Sequence, residues 1–128
     1  MKYFDLSNSI VMITGVSGQL GRTLATALLY SGAKIIGIDK SLSLMNEVSS
    51  TEGWNTKDML FVEVDVRKRS QVKKAISQGL SRFGRIDGLI NNAAVSVFEP
   101  WYDRDDENFD WVIDVNLKGT FFCMSEYF

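Results

Sequence analysis

Residues 9–21 read Ser9-Ile10-Val11-Met12-Ile13-Thr14-Gly15-Val16-Ser17-Gly18-Gln19-Leu20-Gly21 and join an apolar β-branched run to a glycine-rich turn. The run predicts a β-strand, and the apolar spacing of Leu20, Leu24, Ala27 and Leu28 predicts an amphipathic helix after the turn. Glycine permits close approach of the backbone, and the first turn of a helix carries unpaired N–H groups and a partial positive charge. The segment is therefore either a tight strand-to-helix turn or a loop that binds a phosphate group.

Strands and helices alternate along the rest of the chain. Apolar runs at 34–39, 59–65 and 88–91 predict three more strands. Helices are predicted from 19 to Gly32, over 41–52 and up to Gly84, and a last helix from about 105 to 127. The third helix has an apolar stripe of Val72, Ala75, Ile76, Gly79, Leu80 and Phe83. This order predicts an α/β fold with a doubly wound, Rossmann-type parallel sheet of strand order 3-2-1-4, whose C-terminal half is absent.

Composition limits the classes of function. The 128 residues are 45% hydrophobic with a net charge of −2, which predicts one globular domain over 1–128 and disfavours nucleic acid as a partner. No run approaches the length that spans a bilayer, so no membrane partner is expected. One cysteine and no histidine exclude an internal disulfide and disfavour a metal site. We expect a soluble, cytoplasmic, metal-free protein.

The segment 14–21 resembles the Thr-Gly-x-x-x-Gly-x-Gly loop of the short-chain dehydrogenase/reductase family, and the resemblance extends from Leu6 to Tyr127. Glycine stands at Gly18, one residue before its common place at Gln19. That spacing also occurs in the extended branch of the family, so half of a nucleotide-sugar epimerase is an alternative. The segment Asn91-Asn92-Ala93-Ala94 is similar to the family's Asn-Asn-Ala-Gly signature, with Ala94 in place of glycine. It argues against the extended branch, in which a histidine is expected in this segment.

The resemblance implies a dinucleotide cofactor. Asp39 follows Gly21 by 18 positions, where a carboxylate accepts hydrogen bonds from the adenosine ribose and repels a 2′-phosphate, so NAD is favoured over NADP. Alternatively, Asp39 caps the next helix. Lys40 either contacts a phosphate or is simply solvated, and Asp65-Val66 either hold the adenine edge or form an ordinary turn. The predicted cofactor-binding residues are Thr14, Gly15, Ser17, Gly18, Gln19, Leu20, Gly21, Asp39, Lys40, Asp65, Val66, Asn92, Ala93 and Ala94.

The last helix carries a polar residue on an apolar line. Asn116 falls in a stripe with Phe109, Val112, Ile113, Thr120 and Cys123, which predicts that its amide points inward and must be hydrogen-bonded. Asn116 is either a structural amide or, because residues 114–120 resemble the corresponding family helix, the catalytic-tetrad asparagine that holds a proton-relay water.

A second apolar line of this helix contains Trp111, Val115 and Phe122. A helix that is apolar nearly all round is covered on more than one side. In the family this helix packs against a second copy, so a homo-oligomer is implied, through this face or through the strand edge at 89–91. Alternatively, missing chain covers the face.

In the family, the serine and the Tyr-x-x-x-Lys used for proton transfer lie C-terminal to this helix, and they are not found there in these 128 residues. The sequence therefore predicts the NAD-binding part of a short-chain oxidoreductase, either a fragment or a truncated product, that would transfer hydride between NAD and an alcohol or ketone and is inactive alone. The alternative is a noncatalytic NAD-binding or oligomerisation module.

Overall fold

The computed structural model describes residues 4–128. Its strands are β1 (Ile10–Thr14), β2 (Lys34–Asp39), β3 (Met59–Glu63) and β4 (Gly88–Ile90). Its helices are α1 (Gln19–Tyr30), α2 (Leu42–Glu52), α3 (Arg69–Phe83), α4 (Asp106–Ile113), a π-helical segment (Asp114–Gly119) and α5 (Thr120–Tyr127), with short 3₁₀ turns at Thr56–Asp58 and Trp101–Asp103.

All strand pairs are parallel, and the order is β3-β2-β1-β4. The predicted Rossmann-type order 3-2-1-4 is confirmed. β3 ends two residues earlier than predicted because its last partner on β2 is Asp39, which pairs with Glu63. β4 ends one residue early for the same reason, since Ile13 and Ile90 are its last pair with β1.

Helices cover both faces of the sheet because successive strand residues point to opposite sides. On β2, Ile36 packs in a cluster with the buried residues of α3 and α5, whereas Ile35 packs with those of α1 and α2. The helix boundaries lie within two residues of those predicted for α1, α2 and α3. The Ser41 hydroxyl accepts a hydrogen bond from Leu44 N (3.2 Å) at the start of α2, and Gly53 ends that helix.

The predicted buried face of α1 is wrong by about one residue. Leu20 is 63% exposed and Ala27 is also exposed, whereas Gly21 and Ala25 are buried. The helix lies so close to the sheet that a Cβ atom at Gly21 would overlap the carbonyl oxygen of Gly15. Small residues therefore face the sheet.

The predicted orientation of the last helix is also wrong. Val115 is buried and Trp111 and Phe122 pack against the core, so the line expected to be uncovered is the inner one. Asn116 is exposed rather than inward, and of its predicted stripe only Cys123 is buried. The helix winds as α, then π, then α, and the wider π turns change which residues face the core.

Across residues 4–128, none of the helices has the length and apolar character needed to cross a bilayer.

Candidate functional site

A cleft of about 390 Å³ lies at the carboxyl ends of the strands, which is where ligands bind in open α/β sheets. Every predicted cofactor-binding residue lines it except Thr14 and Gly21, which lie behind the loop. The sequence therefore located the cleft and most of its lining. The lining residues that were not predicted are Ile38, Leu44, Val64, Val95, Trp111 and Val115.

The glycine loop is shaped by its own backbone. Gly15 has a φ of +65°, which L side chains rarely adopt, and a Cβ atom there would lie 2.9 Å from Ala93 Cα. Its N–H donates to the carbonyl of Ile38 (2.8 Å), which joins the loop to the end of β2. Gly18 precedes α1, and no side chain caps this helix. The loop thus presents a helix N-terminus with its positive end toward the cleft.

Thr14 and Asn92 tie the ends of β1 and β4 together. The hydroxyl of Thr14 accepts hydrogen bonds from the backbone N–H groups of Asn92 (2.9 Å) and Ala93 (2.8 Å). In return, Asn92 Nδ2 donates to the carbonyl oxygens of Thr14 and Gly15, both at 3.0 Å. These two side chains therefore hold the loop in place, and Asn92 also lines the cleft.

Asp39 joins β2 to the glycine loop. Its Oδ2 accepts a hydrogen bond from Ser17 N (3.0 Å) and its Oδ1 accepts one from Lys40 N (2.7 Å). The alternative role, capping the next helix, is wrong, because Ser41 caps α2. Ser17 lines the cleft, and its hydroxyl is buried and has no hydrogen-bond partner within residues 4–128. Such an orphaned polar atom requires a ligand or water.

Asp65 is held by its neighbour Arg67. Nη2 of the guanidinium lies 2.7 Å from Asp65 Oδ2, and Nε contacts both carboxylate oxygens. These contacts lower the pKa of the Asp65 carboxyl, and partial burial opposes them. The Asp65 N–H donates to Gln71 Oε1 (2.8 Å). The β3 end of the cleft is thus a fixed, ionised carboxylate.

Asn116 is exposed, but its side-chain amide oxygen and nitrogen each make a hydrogen bond. Its Nδ2 donates to the carbonyl of Val95 (2.9 Å), and its Oδ1 accepts from the N–H of Val95 (2.8 Å). The backbone carbonyl of Asn116 accepts a hydrogen bond from the hydroxyl of Thr120 (2.8 Å). The side chain therefore fixes the loop after β4, and Val95 lines the cleft.

The unpredicted lining residues lack a polar signal in the sequence. Val95 follows a recognised signature, and Trp111 and Val115 were placed on the outer face of the helix. Trp111 and Val115 reach the cleft only because the last helix packs on α3 and so lies over the sheet.

Comparison with known proteins gives consistent matches. A family model described as short chain dehydrogenase matches residues 9–128. An uncharacterized oxidoreductase of Listeria monocytogenes is 27% identical over 115 residues, which are 90% of this chain and 46% of that protein. A short chain dehydrogenase/reductase of Macrophomina phaseolina is 34% identical over 119 residues, 91% of this chain and 68% of that protein.

The same match is found among solved structures. The crystal structure of 3-ketoacyl-(acyl-carrier-protein) reductase from Brucella melitensis complexed with NADH has a TM-score of 0.87 and 27% identity, covering 95% of this chain and 50% of that one. The chain thus spans about half the length of the Listeria and Brucella proteins.

Proposed function

This chain belongs to the short-chain dehydrogenase/reductase family, and on that basis we propose that it is the cofactor-binding part of an oxidoreductase that transfers hydride between NAD and an alcohol or ketone. The observation that carries the proposal is the single cleft shared by the glycine loop, Asp39 and residues 92–94. The relative solved with NADH supports a nicotinamide dinucleotide as its occupant.

The side chains and backbone of the cleft fit such a molecule. The uncapped N-terminus of α1 offers N–H groups to a pyrophosphate. The orphaned hydroxyl of Ser17 would gain a partner from a ligand oxygen. Asp65 and Val66 would contact the adenine, and the small Ala93 and Ala94 leave room for a ribose. NAD, when bound, accepts or donates the hydride at its nicotinamide ring, and these residues bind and orient it.

The carboxylate of Asp39 supports NAD over NADP. Each of its oxygens accepts one backbone hydrogen bond, and a carboxylate has about four acceptor positions, so both oxygens can also accept from ribose hydroxyls. A 2′-phosphate at this position would meet the negative charge directly. Lys40 donates its backbone N–H to Asp39, and its side chain is a candidate to oppose that preference.

Asn116 is proposed as the member of the catalytic tetrad present in this chain, and it acts by position. Its two hydrogen bonds to Val95 hold the loop beside the cleft. The one Tyr-x-x-x-Lys of the 128 residues, Tyr30 to Lys34, joins α1 to β2 and does not line the cleft, and no serine is assigned, so the chain as given should bind NAD without turnover. A noncatalytic NAD-binding module would behave in the same way, and extension of the reading frame into a Tyr-x-x-x-Lys segment would distinguish the oxidoreductase from it.

Self-association is the second part of the proposal. Large apolar side chains on the outer face of the last helix are exposed, and β4 lies at one edge of the sheet. An exposed apolar stripe and an unpaired strand edge both favour association with a second copy. The residues of this outer stripe are Phe109, Ile113, Leu117, Phe121 and Met124.

Titration calorimetry with NAD tests the proposed cofactor site. Gly21→Ala should weaken NAD binding at least about tenfold, because the added methyl would overlap the Gly15 carbonyl and displace the loop. The matched control is Gly88→Ala, whose Cβ atom would meet Val11 only at an ordinary 3.8 Å. Equal NAD affinities for the wild type and Gly21→Ala, with the control unchanged, would show that the loop is only a turn.

A further inference from the structure

The π-helical segment Asp114–Gly119 contacts both sides of the cleft. Val115 is buried and lines the cleft itself. Asn116 holds Val95, on the β4 side, by two hydrogen bonds. Gly119 lies against Val66, on the β3 side. Within six residues, the segment therefore connects the two loops that bound the cleft.

The contact between Gly119 and Val66 leaves no room for a side chain. A Cβ atom at Gly119 would lie 2.7 Å from Val66 Cγ2 and 3.1 Å from Val66 Cβ. Val66 cannot move aside easily, because it is buried and its β-branched side chain has few allowed rotamers. The methyl group of an alanine would therefore push Val66, the helix or both.

The backbone at this position does not itself require glycine. Gly119 has a φ of −60° and a ψ of −45°, which are ordinary helical values. Alanine has a higher helix propensity than glycine, so without the contact an alanine here would stabilise the helix. The absence of a side chain therefore serves only the close approach to Val66.

From these contacts we infer that Gly119 is a positioning residue for the dinucleotide. Because Gly119 lets the helix contact Val66, it sets the position of Asp65 and Val66 at one side of the cleft. It thereby fixes their distance from the Val95 loop, which Asn116 holds on the other side. The inference rests on the proposed NAD site. It adds that the last helix, through Gly119, positions the residues at the adenine end of the cleft. Enlarging residue 119 therefore weakens binding of the adenine half without contacting it.

Binding of ADP-ribose and NADH to four variants of the chain, followed by calorimetry, tests this role. Gly119→Ala should raise the dissociation constant for ADP-ribose about tenfold at a temperature where the protein is folded. In the Val66→Ala background, which removes Cγ2, the same substitution should raise it less than about threefold. The control is Gly79→Ala on α3, whose methyl would overlap Ile36 Cδ1 in the core, away from the cleft.

The outcomes separate a positioning role from a structural one. A structural role would lower the melting temperature of Gly119→Ala and Gly79→Ala alike and leave ADP-ribose affinity unchanged, which would overturn the inference. An equal loss of affinity in both Val66 backgrounds would also overturn it. If Gly119→Ala does not fold, the comparison of Val66→Ala with the double variant decides: affinities within about threefold support the inference, and a larger loss contradicts it. If the wild type binds neither ligand, the proposed NAD site itself fails.

Discussion

The backbone N–H of Ser17 donates a hydrogen bond to Oδ2 of Asp39 over 3.0 Å. It links the glycine loop after β1 to the end of β2, the neighbouring strand in the sheet. A carboxylate that is already oriented by the loop needs little rearrangement to accept ribose hydroxyls. The same bond that shapes the loop therefore prepares the residue that would select the cofactor.

Replacing Asp39 by asparagine should change the cofactor preference. Asp39→Asn keeps an oxygen that can accept from Ser17 N and removes the negative charge. The ratio of the NADP to the NAD dissociation constant should fall by roughly tenfold or more, because like charges in contact cost several kcal/mol. Calorimetry with both dinucleotides measures it. Glu47→Gln, which removes an exposed charge on α2, should leave the ratio unchanged, and a constant ratio in Asp39→Asn would reject the assignment.

Asn116→Ala should loosen the loop after β4. The substitution removes both hydrogen bonds to Val95, and loss of each bond of this kind costs about 1 kcal/mol. Hydrogen exchange of the Val95 amide should accelerate, and the melting temperature should fall. Asn46→Ala, on the exposed surface of α2, serves as the control. Unchanged exchange at Val95 would contradict the structural role given to Asn116.

The Asp65–Arg67 pair should make stability depend on acid pH. Because Arg67 lowers the pKa of Asp65 in the folded state, the pair stabilises above the unfolded carboxyl pKa of about 3.9, and the contribution disappears as pH falls through the folded value. Because Arg67 is partly exposed, Asp65→Asn should lower the free energy of unfolding by only about 1 kcal/mol or less at pH 7. The loss should become progressively smaller below about pH 4. Urea unfolding between pH 2.5 and 7 measures both. Arg67→Met should show the same trend, and a cost that is independent of pH would refute this account of the pair.

Leu117→Lys should reduce self-association. Leu117 is 65% exposed in the centre of the outer stripe of the last helix, so a lysine there introduces charge into the proposed contact without disturbing the core. Light scattering over a concentration series should show a mass above the monomer for the wild type and a lower one for the variant. Leu80→Lys, at an exposed leucine of α3, is the matched control. A wild type that remains monomeric at high concentration would contradict the association proposal.

The sequence predicted the sheet well because its signals are local. Each strand is a short apolar run, and Gly32 and Gly84 mark helix ends, so the element order and the parallel topology followed. The position of the cleft could also be predicted, because the loops after parallel strands meet at the carboxyl edge of the sheet. The glycine loop, Asp39 and Asn92 were found by their motifs.

Helix faces were harder to predict because they depend on distance to the sheet. On α1, Leu20 fits an apolar stripe, but Gly21 permits closer packing and turns Leu20 outward. In the last helix, the predicted stripe assumed regular α spacing through Asn116, and the π-helical segment breaks that spacing. The contacts of Val66 with Gly119 and of Val95 with Asn116 join residues distant in sequence, and no periodicity could reveal them.

Amide chemical shifts of the ¹⁵N-labelled chain during titration with NADH test the central claim most directly, because they report where a dinucleotide binds. The account predicts that the largest changes fall on the glycine loop and the other strand ends, at Ser17, Gln19, Asp39, Val66 and Ala93, whereas the outer face of α1, which carries the exposed Tyr30 outside the cleft, changes little. Absence of saturable shifts, or shifts centred on that outer face with the glycine loop unaffected, would contradict the proposal that this cleft binds NAD.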